Sequence, residues 1–208
     1  MMLAAALTGT PAIGTPPDPL AAAIEHYQTV ESYRVTIRSF HTGGEEHIRY
    51  YFRKPGFVRM EFIRPHDGAV LVYNPSTQRV RLWPFGAGRF PELNLSPGNL
   101  LIRSSRGQHV DRSDVGALFE NVRVLQQSGN TEVSGEESTD GRTFLHLVVT
   151  GASNVAVDGV HRYELWLDTA SLFPAKVISR DQQDDIIETV TMEALEIDAV
   201  LPETLFNP

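Results

Sequence analysis

The chain has 208 residues, a formal net charge of −8, 41% hydrophobic and 21% charged residues, and no cysteine. That is enough chain for one domain with its own core, and its balance of apolar and charged residues argues against wholesale disorder. The lack of cysteine excludes disulfides, thiolate metal sites, a cysteine nucleophile and a cysteine-borne lipid anchor.

Met1 to Gly14, MMLAAALTGTPAIG, is an apolar patch running into small residues, the pattern of the rear half of a secretory signal peptide. Its charged front is missing, because the first Lys or Arg is Arg34. Residues 1–17 therefore read as a signal-peptide remnant or as a disordered tail, and export to the periplasm is the expectation. No apolar run approaches the roughly 20 residues that span a bilayer as a helix, so contact with a membrane is expected to be peripheral at most.

Asp18-Pro19 supplies an N-cap and a favoured first helical residue. Leu20, Ala23, Ile24 and Tyr27 then share one helical face, which predicts a helix ending near Thr29. From Tyr33 the period becomes two. Tyr33, Val35 and Ile37 alternate with Arg34, Thr36 and Arg38; after the Thr42-Gly43-Gly44 turn, Ile48, Tyr50 and Phe52 alternate with Arg49, Tyr51 and Arg53. Lys54-Pro55-Gly56 interrupts, and Val58, Met60 and Phe62 face one way. Ala69–Tyr73 and Gln78–Trp83 read as two more strands around Asn74-Pro75-Ser76. Such short strands joined by tight turns predict an antiparallel meander.

Phe85 to Gly98 reads as Gly/Pro-rich loop, with Ser96-Pro97 capping a short helix over Leu100, Leu101 and Ile102. Ser113 or Asp111 caps a clearer helix striped by Val115, Leu118, Phe119, Val122 and Leu125. Strands return at Glu132–Glu136, Thr143–Thr150, His161–Asp168, Ala175–Arg180 and Ile186–Ile197, separated by Asp140-Gly141, Asp158-Gly159 and Asp181–Asp185. The fold expected is mainly β. About ten to eleven antiparallel strands do not stay flat but coil into a barrel or half-barrel with the apolar face inside.

Charge is distributed unevenly. Tyr33 to Arg112 carries 13 basic and 6 acidic residues, whereas Ser113 to Pro208 carries 5 basic and 17 acidic. A sheet that keeps sequence neighbours together would thus have a positive and a negative side, although solvent-facing strand positions explain the same charges. The seven histidines are scattered without metal-ligand spacing, and DQQDD at 181–185 lacks the ordered ligands of a calcium loop. Phe85-Gly86-Ala87-Gly88 leads to Pro91 rather than a helix, so it is no phosphate cradle, and no G-x-S-x-G elbow occurs. Glu45-Glu46 and Glu136-Glu137 are expected in turns, where solvated charge is the default. The aromatics among the basic strands suit nucleic acid poorly in so acidic a chain. No catalytic residue, metal or cofactor is expected.

Tyr50–Trp83, YYFRKPGFVRMEFIRPHDGAVLVYNPSTQRVRLW, resembles the periplasmic lipoprotein-carrier (LolA/LolB/RseB-like) superfamily. So do YELWLDTASLFPAKVISRD at 163–181 and the ending Leu205-Phe206-Asn207-Pro208. LNLSPGNLLIRSSRG followed by DRSDVGALFENV is similar to an uncharacterised exported branch of it. The resemblance spans roughly residues 20 to 208. It implies an open half-barrel over residues 18–208 with an N-terminal helix and a helical lid insert near Leu100 to Leu125. Its apolar cavity would take lipoprotein acyl chains. On that pattern Val58, Met60 and Phe62 form the cavity strand, joined by Val35, Ile37, Tyr50, Phe52, Leu71, Leu101, Leu118, Phe119 and Trp166. Lys54 stands where such carriers tend to have a lid-tying Arg, with Arg53 beside it as substitute. The resemblance implies a monomeric periplasmic carrier or binding protein for lipid or lipidated protein. Because the superfamily includes stress-sensing regulators, the alternative is a sensor or scaffold that binds an envelope protein partner.

Overall fold

The computed structural model describes residues 18–104 and 107–208; the expectation for residues 1–17 falls outside them. Helix α1 (Pro19–Thr29) starts as its sequence dictates, with the Asp18 side chain accepting the Leu20 N–H at 3.0 Å. Strands β1 (Ser32–His41), β2 (Gly44–Arg53), β3 (Phe57–Arg64), β4 (Val70–Asn74), β5 (Arg79–Trp83) and β6 (Leu93–Leu95) follow as one meander. After α2 (Val115–Ser128) come β7 (Asn130–Thr139), β8 (Arg142–Thr150), β9 (Arg162–Asp168), β10 (Pro174–Arg180) and β11 (Ile186–Ile197).

All eleven strands form one antiparallel sheet in the order β6-β5-β4-β3-β2-β1-β11-β10-β9-β8-β7. The two meanders meet where β1 pairs with β11, and among the described residues β6 and β7 remain as unpaired edges, so the sheet is an open half-barrel rather than a closed one. Each meander keeps its sequence neighbours together. The basic part of the chain therefore forms one wing of the sheet and the acidic part the other.

Curvature has local causes. Between Arg34↔Glu196 and Thr36↔Glu193, β11 carries one residue more than β1, and Ala194 there adopts φ 51°. Such bulges bend a strand and increase its twist. Asp140-Gly141 and Asp158-Gly159 have φ of 52° and 75°, and 51° and 79°. Positive φ at both central residues is what a tight hairpin turn requires.

Several details differ from the expectation. The short helix over Leu100–Ile102 is capped by Asn99, whose side chain accepts the Leu101 N–H at 2.9 Å, rather than by Ser96-Pro97. Glu45-Glu46 and Glu136-Glu137 lie in β2 and β7 rather than in turns. Residues 93–95 form β6, paired as Leu93↔Leu82 and Leu95↔Val80, where a loop was expected; three residues are too few to display a period. Strand β7 extends beyond 132–136 on both sides. The cap of α2 is Asp114, whose side chain accepts the Gly116 N–H at 3.0 Å, rather than Ser113 or Asp111.

The main core joins Leu20 and Ala23 of α1 and Val115, Phe119, Val122 and Leu125 of α2 to the inward side chains of the sheet. A second, smaller core lies on the opposite face, where Phe206 covers Val70, Val72 and Trp83. Arg59 Nη1 donates to the Leu205 carbonyl at 2.7 Å, and Arg53 lies over the rings of Phe57 and Phe206 at 4.9 and 4.7 Å. The C-terminal segment is thus a strap across the outer face. Phe206→Ala is expected to lower stability by about 3 kcal/mol, the usual loss for a buried Phe truncated to Ala. Urea unfolding reads this as a lower midpoint at unchanged slope; an unaltered midpoint would mean that the strap does not hold in solution.

Candidate functional site

The apolar residues that alternate along each strand come level across the sheet. One row runs Val35, Tyr50, Met60, Leu71, Leu82 and Leu93 across six strands, each side chain opposite the next. A second runs Met192, Ile37, Ile48 and Phe62. Both rows wall a cavity of about 520 Å³, which Val177 and Val190 extend towards the acidic wing. That volume lies in the range of small-molecule sites. Its cover comes from Leu101, Ile102 and Val110, which lie between β6 and α2, continued by Val115 and Leu118 of α2.

Of the residues expected at the cavity, Val35, Ile37, Tyr50, Met60, Phe62, Leu71, Leu101 and Leu118 line it. Phe52, Val58 and Phe119 do not. They belong to the closed core beside α1, where Tyr27 meets Phe52 and Phe119 at ring distances of 6.3 and 6.2 Å. The sheet is filled by its helices at that end and left open at the other. Trp166 is a correction of face: β9 turns Tyr163, Leu165 and Leu167 inward, and Trp166 stacks outside on His146 at 4.2 Å with Lys176 Nζ 4.3 Å away.

The latch is also relocated. Lys54 Nζ donates to the Gln28 carbonyl at 2.6 Å and pairs with Glu31 at 3.2 Å, so it ties β2 to the end of α1 and not to the cover. Arg53 belongs to the outer strap. What holds the cover is a group of tyrosines, of which the sequence reading placed Tyr50 at the cavity and Tyr27 on the apolar face of α1 but gave none a part in holding the cover. The Tyr33 hydroxyl accepts the Val115 N–H at 3.2 Å, Tyr50 and Ser113 hydroxyls lie 3.1 Å apart, and Tyr27 donates to Asp114. Gly116 permits this approach, since a Cβ there would stand 2.6 Å from the Tyr27 ring. The only advance signal was that Tyr33 and Tyr50 fall on inward positions.

Burial pushes the Tyr27, Tyr33 and Tyr50 phenols well above their ordinary range; for Tyr27 and Tyr50 the next cause is the negative charge of Asp114, and for Tyr33 it is Tyr50. A group whose folded pKa is raised stabilises the fold fully below its unfolded value, near 10 for Tyr, and that stability is lost as pH rises above it. Alkaline titration followed at the tyrosinate absorbance is therefore expected to show these three of the six tyrosines ionising only together with unfolding. All six ionising near pH 10 with the sheet signal intact would contradict the arrangement.

Among the described residues no group of three His, Asp or Glu is placed to hold a metal ion, and no helix is long and apolar enough to cross a membrane.

No family model matches the chain, and no curated protein does. Solved structures do. An uncharacterized conserved protein from Thermus thermophilus superposes with a TM-score of 0.56 at 12% identity over 91% of both chains. The Mycobacterium tuberculosis lipoprotein LppX gives 0.55 at 10% identity, over 90% of this chain and 99% of that one. MucB gives 0.54 at 16% identity over 90% of this chain, which spans 60% of MucB; MucB has also been solved in complex with MucA(peri). These likenesses show the fold alone, one this chain shares with LppX and MucB.

Proposed function

We propose that this chain is a non-enzymatic carrier or binding protein that lodges an acyl chain, of a lipoprotein or another hydrophobic ligand, under the cover between β6 and α2. The observation that carries the reading is the unfilled cavity of about 520 Å³ behind two continuous apolar rows. A buried methylene contributes roughly 0.8 kcal/mol, so a long chain gains on the order of 10 kcal/mol against water before ordering is counted. Transfer from a bilayer gains far less, because the tail is already in an apolar medium. Two polar groups beside the cavity are occupied in holding the cover: Asp114 caps α2 and Tyr33 accepts from its first turn. The reading takes residues 18–208 as a carrier-like domain, monomeric and exported to the periplasm.

A second reading has its own support. MucB, of similar fold, is seen bound to MucA(peri), so the same architecture also suits an envelope module that binds a protein partner.

Native mass spectrometry of protein purified gently from its host separates the two. A co-purifying lipid mass, and saturable enhancement of an uncharged dye such as N-phenylnaphthylamine, is the result expected of a carrier. No lipid and no dye binding, with a protein captured instead, would replace the first reading with the second.

A further inference from the structure

The inner face of the sheet is graded from one end of its strands to the other. Tyr33, Phe52, Val58, Tyr73 and Val80 stand in register across five strands, and all are buried in the main core. Two residues away along each strand comes the open row that starts at Val35 and ends at Leu93. Next is the row Met192, Ile37, Ile48 and Phe62. Beyond it the face turns polar: Ser39 lies opposite Glu46, and both border the cavity. The Glu46 side chain is 27% exposed, with Oε1 3.7 Å from His41 Nε2. The open apolar strip is therefore two rows wide, between a filled row and a polar one.

The dimensions of the strip set what fits. At ~4.8 Å between neighbouring strands, the longer row runs about 24 Å, more than the length of one extended palmitoyl tail. Two rows of residues at ~3.3 Å rise each give a width of about 13 Å, which by itself would admit two chains side by side. Depth is what restricts it, because Leu101, Val110, Val115 and Leu118 roof the strip and leave about 520 Å³. A methylene is close in size to a water molecule, whose share of liquid volume is ~30 Å³, so the cavity holds roughly 17 carbons. Two long tails need about twice that space. A second tail would have to lie over Glu46, stripping water from its carboxylate, or press into the row that is already packed.

We infer that the cavity takes one long alkyl tail and no second one, which makes its ligand a single-chain amphiphile of the monoacyl-lipid kind. The inference rests on the binding role proposed above and narrows its ligand class by the number and length of tails. The tail lies across the strands along the apolar rows. A diacyl lipid could seat only one of its tails there, so it gains no more than a monoacyl lipid of the same tail length while the other tail stays in water.

The test is displacement of bound N-phenylnaphthylamine from the full chain by three lipids with the same head, each below its micellar concentration. They are decanoyl-lysophosphatidylcholine, palmitoyl-lysophosphatidylcholine and didecanoylphosphatidylcholine. Each methylene that enters the cavity is worth about fourfold in affinity. The palmitoyl lipid is thus expected to displace the dye at a concentration at least 100-fold below the decanoyl one. Didecanoylphosphatidylcholine should stay within about tenfold of the decanoyl lipid, because its second tail remains outside. Native mass spectrometry at saturation with the palmitoyl lipid should show a single lipid per chain. Leu82→Trp, which sets an indole on the cavity floor, should cut the palmitoyl advantage at least tenfold and leave the decanoyl lipid little changed. The ranking and the stoichiometry on the unaltered protein need no variant, so they decide the matter even if that substitution harms folding. Two palmitoyl lipids per chain, didecanoylphosphatidylcholine matching the palmitoyl lipid, or a palmitoyl lipid no better than the decanoyl one overturns the single-tail assignment and leaves the carrier reading standing. A protein that binds neither the dye nor any of the three lipids overturns both.

Discussion

Replacement of Met60 by glutamate is expected to weaken binding of an uncharged apolar dye at least 30-fold while leaving the circular dichroism of the sheet intact. Met60 stands in the middle of the longer apolar row, level with Tyr50 on one side and Leu71 on the other, and its side chain faces the cavity. In the empty protein water can enter the cavity and solvate the new carboxylate, so the fold tolerates it. An apolar guest expels that water, and stripping a polar group without a compensating partner costs about 2 kcal/mol or more. At 1.4 kcal/mol per factor of ten, this is the 30-fold stated. Val58→Glu is the contrast. Val58 is 2% exposed in the closed core two positions earlier on β3, and the same substitution there is expected to unfold the protein. Dye affinity unchanged in the Met60 variant would place the dye elsewhere and remove this cavity from the proposal.

The second large effect falls on Tyr33. Its ring stacks on Tyr50 and Phe52 at 5.9 and 5.1 Å and meets Phe173 edge-on at 5.4 Å, and its hydroxyl accepts the first N–H of α2. Tyr33→Ala removes the ring and leaves the Val115 N–H without its partner. Truncation of a buried aromatic costs about 3–5 kcal/mol, and the lost acceptor adds about 1 kcal/mol. Against a total stability of about 5–15 kcal/mol, this variant should be partly unfolded at room temperature or melt many degrees lower. Tyr33→Phe keeps the ring and removes only the acceptor, so about 1 kcal/mol is expected. The gap between the two variants, read by urea unfolding, separates packing from cover attachment. Equal and small losses would show that the ring is not central to the core.

The residues that were easiest to place were those with a local reason for their geometry. Asp18-Pro19 starts α1 because a carboxylate can accept the free N–H groups and Pro needs none. Asp140-Gly141 and Asp158-Gly159 turn because both positions tolerate positive φ. Val35, Ile37, Tyr50, Met60, Phe62 and Leu71 line the cavity because period-two alternation turns them to one face. Trp166 shows where alternation was misapplied. Its inward neighbours Tyr163, Leu165 and Leu167 carry the same signal one residue out of phase, and an aromatic residue is as well placed against His146 outside as in a core. Lys54 shows a different limit, since whether a basic residue after β2 meets the cover or α1 depends on which element lies beside it, and that element is far away in sequence.

Composition, alternation and turn chemistry by themselves determined that this chain is an antiparallel β protein with one apolar face and a capped helix on either side of the first meander. These are interactions between residues a few positions apart, so the order of residues is sufficient to specify them. Only the tertiary structure decided that β1 closes on β11, which part of the apolar face the helices fill, and which part stays open as a cavity with an acidic end. Those outcomes depend on strand pairing between residues far apart in the chain, Tyr33 beside Ile197 and His41 beside Glu188. Such pairing depends on how bulges and helices share the volume inside the curved sheet, and no local pattern encodes that division.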